Sequence, residues 1–230
     1  MKNSLIEKLY PMWLSSQTDL NEVIRWEKSL ANNPGMRRQS TMAHVVSVSL
    51  VVSIALIILK KYNSKLDDAL VQRAYTLHDL PEGFSQKKSD TSAVDKTTND
   101  DLEEYFLFEK NFSHLPREIY FELKKAYLLQ YAEENSKIFP EEARVIMDYL
   151  SSERRCEVLI FGALQCWEYF FYAFEVKETC SNRELFFSVL KYNIPKLKKY
   201  SQLIRGFREE IFTENFEKYA RCYLKRHICV

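Results

Sequence analysis

Glycine and proline are scarce in this chain, four and six residues in 230. Hairpins and tight turns draw on these residues, so an all-β architecture of many short strands is excluded and long helices are expected. A surplus of either charge is missing as well: 33 Lys and Arg face 32 Asp and Glu. No overall field therefore draws the chain to nucleic acid. The five cysteines, Cys156, Cys166, Cys180, Cys222 and Cys229, are odd in number and include no Cys-x-x-Cys pair. That usage fits reduced thiols in a cytoplasmic protein. Residues Met1 to Glu7 hold no uninterrupted apolar run, so a secretory signal is not expected.

Hydrophobic residues make up 46% of the chain and aromatics 14%, enough for the packed core of one domain. The apolar spacing is helical, and the fold class expected is all-α, a helical bundle over 1–230. N-terminal helices occupy 1–35, closed by the breaker Asn32-Asn33-Pro34-Gly35. Ser40 is suited to cap the helix that follows. A core region spans 36–176. It is interrupted at 85–101 by a polar stretch in which Val94 is the only large aliphatic residue, which buries too little to order itself and reads as a flexible loop. Leu102–Phe112, Pro116–Ala132 and Pro140–Leu150 read as further helices. The end of the chain, 181–230, divides into helices Arg183–Tyr192 and Pro195–Arg226. It carries eleven Lys or Arg against five Glu, a solvated face or else a surface for phosphate or a partner.

Two apolar runs bear on membranes. Val45–Leu59 is 15 residues long, short of the roughly 20 that cross a bilayer. Ser47, Ser49 and Ser53 interrupt it, and His44 and Lys60-Lys61 flank it. It reads as a helix at the centre of a bundle, apolar on nearly all faces. Cys156–Val176 is long enough to span, but Glu157, Glu168 and Glu175 along it argue for a buried core helix. No stable membrane insertion is expected, and a membrane-associated helical protein ranks last among the readings.

Chemistry is expected at His78-Asp79, which closes an apolar helix that Pro81 stops, with Glu82 just beyond. A further imidazole, His44, lies 34 positions earlier on a different apolar helix. Two imidazoles and carboxylates brought together suit a divalent first-row metal ion. His114 and His227 have no such companions.

Arg37-x-Gln39-Ser40-x-x-x-His44, Ala74-x-x-x-His78-Asp79-x-x-Glu82, and the segment from Ser151-Ser152 to Glu175 resemble the HD-domain metal-dependent phosphohydrolases, in particular their 5′-deoxynucleotidase-like group. The likeness covers most of 36–176. It implies an HD-domain-like bundle in which His44, His78 and Asp79 hold a divalent ion (Mn, Co, Fe, Zn or Mg). It further implies that Glu82 positions the attacking water or protonates the leaving group, and that Arg37 holds the phosphate as a planar fork. The substrate implied is a nucleotide or another small phosphorylated compound, and the chain is compatible with a homo-oligomer. Two positions depart from the family pattern: Leu164 stands where its final Asp ligand is expected, and Lys87 where its second acid is expected. Either Asp148, or a loop acid such as Asp90 or Asp95, supplies the missing oxygen, or the fold has lost turnover and serves as a nucleotide-binding or protein-interaction module.

Overall fold

The computed structural model describes residues 9, 19–25, 38–85, 97–133, 136–179 and 183–225. Among these the chain is an all-α bundle without β-strands; one isolated antiparallel bridge joins Ile24 to Ser40. Arg37, Lys87, Asp90, Asp95 and most of 1–35 lie outside the described residues.

Helix α1 spans Thr41–Lys60. Ser40 starts it, its Oγ accepting the Ala43 N–H at 3.2 Å, which removes one of the donors a helix start leaves without a partner. Val45, Val48, Val52, Ala55, Leu56 and Leu59 form its buried side. The opposite side is open, with Val46, Leu50, Ile54 and Ile57 between 53% and 65% exposed. The expectation of a helix at the bundle centre is thus corrected to one with a single buried face. At 20 residues, α1 is also long and apolar enough, by length and composition, to cross a membrane.

Helix α2, Asp68–Leu77, occupies the centre instead and packs against α1, α5 (Arg117–Leu128) and α7 (Arg155–Thr179). Leu70, Val71, Ala74 and Tyr75 on it are essentially inaccessible, and burial of each larger side chain contributes about 1.5–3 kcal/mol. Two hydrogen bonds tie α2 to α7. The Asp67 N–H, one residue ahead of α2, donates to Glu157 Oε1 at 2.8 Å, and the Tyr75 hydroxyl donates to the Phe161 carbonyl at 2.8 Å. Glu157 is buried, as expected of a core helix, and it meets a backbone donor rather than a cation.

Between these elements lie the short helix α3 (Leu80–Phe84) and α4 (Thr98–Phe112). The loop expected over 85–101 is shorter at its end: residues 86–96 lie outside the described residues, while Thr97 caps α4. Asp100 accepts the Thr97 N–H at 2.8 Å and Thr97 Oγ1 accepts the Asp100 N–H at 3.3 Å, a reciprocal cap that starts a helix even in polar sequence. After α5, helix α6 spans Glu141–Glu153 and leads into α7.

A second correction concerns Pro195. The expected break there is absent, and α8 runs unbroken over Arg183–Leu203. Proline costs about 3 kcal/mol inside a helix, but Leu190, Ile194 and Leu197 around it are buried in the shared core, where α8 packs along α7. Helix propensity yields to that packing. The chain turns at Gly206 (φ +83°) into α9 (Phe207–Glu210), and α10 (Glu214–Lys225) follows.

Gly206 sits in the left-handed region, and a Cβ there would run into the Tyr62 ring. Gly206→Ala is therefore expected to lower the free energy of unfolding by about 2 kcal/mol, measured by urea denaturation against the unmodified chain.

Candidate metal centre

His44 lies in the first turn of α1, where its N–H donates to the Ser40 carbonyl at 3.0 Å. His78 is the C-cap of α2, and Asp79 follows as the N-cap of α3. The two imidazole centroids are 6.0 Å apart. Asp79 Oδ2 lies 3.4 Å from His44 Nε2 and 3.1 Å from His78 Nε2. The three expected ligands thus meet. His44 is 7% and His78 4% exposed, so nearly all water is excluded from the point they share.

A second carboxylate reaches the imidazoles from α7, in a group that does not include Asp79. Glu168 Oε1 is 3.4 Å from His44 Nε2, and His44, His78 and Glu168 form a group whose donor atoms lie within 4.8 Å of one another and could hold a metal ion. On the inner side of α7, Phe161 packs edge-on to His78 with centroids 6.1 Å apart. Leu164 and Glu168 follow one and two turns later on the same side. Leu164 is buried as hydrocarbon, and the carboxylate sits one turn beyond the position where the family pattern leads one to look. Asp148 does not take that role: it is exposed on α6 and outside the cluster.

The hydrogen positions follow from the acceptors. His78 Nδ1 is 2.7 Å from the Tyr75 carbonyl oxygen, which can only accept, so Nδ1 carries a proton. Nε2 then faces Asp79 Oδ2 at 3.1 Å, and a neutral imidazole would set lone pair against lone pair. A second proton or a cation must lie between them. His44 Nε2 and Glu168 Oε2 are buried with no hydrogen-bond partner among the described residues, which costs free energy unless an ion or water satisfies them. Two atoms each about 2.1 Å from one ion stand about 3.0–3.4 Å apart at octahedral to tetrahedral angles, which matches the spacings of the imidazoles from Asp79.

Arg25 completes the site. Its Nη1 contacts Asp79 Oδ2 at 2.5 Å. The backbone places it there: the Arg25 N–H donates to the Gln39 carbonyl at 2.9 Å, and the Thr41 N–H donates to the Val23 carbonyl at 3.0 Å. Glu82 is not in the donor group; its Oε2 accepts the hydroxyl of Thr41 at 3.1 Å, and Thr41 stands one turn ahead of His44 on α1. Beside His44 and Glu168 a cavity of about 190 Å³ opens between α1 and α7, with Arg25 and Gln39 at its metal end. Sequence reasoning missed Arg25 and Glu168 as site residues. Glu168, the single charge between Glu157 and Glu175 on α7, is a usable signal, whereas nothing local marks Arg25.

Burial works to raise the Asp79 carboxyl, yet His78, Arg25 and His44 hold it well below the usual carboxylate range. Burial likewise works to lower His78, but the charge and hydrogen bond of Asp79, with Glu168 behind, leave it raised above its ordinary 6.5. A raised native value means that His78 stabilises the metal-free fold fully below about pH 6.5 and loses that contribution as pH rises through the native value. The unfolding midpoint of chelated protein is expected to fall as pH rises from about 6.5, and to lose most of that slope in His78→Asn, followed by circular dichroism. No family model, no curated protein and no solved structure matches the chain.

Proposed function

We propose that this chain is a metal-dependent phosphohydrolase of the HD-domain kind that cleaves a phosphate monoester. A nucleotide is the ester the resemblance implies, and the geometry speaks for the anionic end of the substrate. The observation that carries the reading is that His44, His78 and Glu168 bring donor atoms within 4.8 Å of one another, with Asp79 Oδ2 3.4 and 3.1 Å from the two imidazoles and held by the guanidinium of Arg25. Nitrogen and oxygen donors without a thiolate suit Mn, Fe, Co or Zn, and Mg to a lesser degree.

Bound there, a divalent cation supplies Lewis-acid polarisation of the phosphate and acidification of water. The protein groups supply the rest. Arg25 offers a planar fork for phosphate oxygens and holds Asp79 ionised. Glu82, oriented by the Thr41 hydroxyl, takes a proton from the attacking water or gives one to the leaving alkoxide. A bond forms from water oxygen to phosphorus, the ester P–O bond breaks, and the products are an alcohol and inorganic phosphate. Glu168 replaces the charge and the oxygen that Leu164 lacks, which favours turnover over a fold that merely binds.

Metal analysis of purified protein is expected to find about one equivalent of Mn, Fe, Co or Zn per chain, lost in His78→Ala with helix content retained. Glu168→Gln should weaken metal binding at least about tenfold. With Mn or Co added, a phosphomonoester panel should release phosphate, and Glu82→Gln should lower the rate about 10²-fold or more. No metal under any loading condition would instead favour the inactive binding module.

A further inference from the structure

The cavity beside the metal centre changes character along its length. At one end lie Arg25, His44 and Glu168; further along, the walls are Val48 and Val51 of α1 and Phe171 and Tyr172 of α7. His44 and Val51 are seven residues apart on one helix, so the groove leads about 10 Å away from the metal donors. Ser47, the polar side chain of α1 in this wall, has its hydroxyl proton engaged by the Ala43 carbonyl of its own helix at 2.8 Å. Past Val51 the same side of α1 continues with Ile54, 53% exposed, and the half-buried Ile58, three and seven positions on. No charged side chain interrupts α1 between His44 and Lys60, and Phe171 on the facing wall is itself 49% exposed. A water-facing helix without charge over four turns is unusual unless something apolar lies against it.

We propose that this groove takes the organic part of the ester and that this part is a long apolar chain: the substrate is the phosphate monoester of a long-chain alkyl or isoprenoid alcohol rather than of a nucleoside. The inference rests on the phosphohydrolase reading for the anionic head, which Arg25 and the metal donors receive, and it adds the identity of the tail. A nucleoside would set ring nitrogens and ribose hydroxyls against Val48, Val51 and Phe171, where they lose water, with the hydroxyls of Tyr169 and Tyr172 as the polar groups of the facing wall. An alkyl chain leaves no polar group unpaired there. It gains about 0.8 kcal/mol for each methylene removed from water, close to fourfold in affinity, and a chain longer than the groove continues onto Ile54 and Ile58.

Alkylphosphonates, whose C–P bond is not hydrolysed, separate head from tail. Mn-loaded protein is titrated calorimetrically with methyl-, butyl- and octylphosphonate, inorganic phosphate and adenosine 5′-monophosphate. Affinity is expected to rise two- to fourfold per methylene from methyl to octyl, with the nucleotide binding no tighter than methylphosphonate. Val51→Asn on one wall and Phe171→Ala on the other should each flatten the chain-length dependence while leaving methylphosphonate affinity unchanged. A flat series, a nucleotide that outcompetes octylphosphonate, or a slope untouched by both variants overturns the proposal, and the phosphohydrolase reading survives if methylphosphonate still binds. Failure of every phosphonate and of inorganic phosphate to bind overturns both.

Discussion

One carboxylate organises this molecule. Asp79 keeps its negative charge at a point only 13% exposed, and a charge so far removed from water is tolerated only when opposite charge and hydrogen bonds surround it. Arg25 comes to it from a segment pinned by the bridge at Ile24 and Ser40, His44 from the start of α1, and His78 from the end of α2. A slide of any of these elements by a turn would strand an ion in hydrocarbon.

Charge counting at the centre leads to the same chemistry as the distances. Asp79 and Glu168 bring two negative charges within reach of the imidazoles, and Arg25 offsets one of them. The remainder is met by an imidazolium proton or by a divalent cation, and the two compete for the same lone pair on His78. One proton on His78 does not reach the buried acceptors of His44 and Glu168, which a bound cation would satisfy.

How far the site was legible in sequence depends on what kind of distance each residue spans. His78, Asp79 and Glu82 sit close together around a helix end that Pro81 announces, so their grouping is local and readable. His44 required only the assumption that two apolar helices pack together. Glu168 was hidden by counting: alignment to a pattern selects a position, whereas coordination selects a face, and four residues along α7 return to the same face. Arg25 was invisible because its partner is 54 residues away and the link is a pair of main-chain hydrogen bonds. Thr97 and Asp100 do carry a capping signature, but the polar composition around them masked it. At Pro195 local propensity and core packing disagree, and packing wins. The open side of α1 is not legible, because apolar composition does not say which side meets protein.

Tyr75 joins the chemistry to the scaffold. Its carbonyl receives the Nδ1 proton of His78, and its hydroxyl, deep in the core, holds the α7 backbone at Phe161. The tautomer of one donor and the stance of the helix that bears Glu168 therefore hang on a single side chain and its own peptide unit. Evolutionary drift in the bundle interior could retune the basicity and spacing of the centre without altering any residue that faces it.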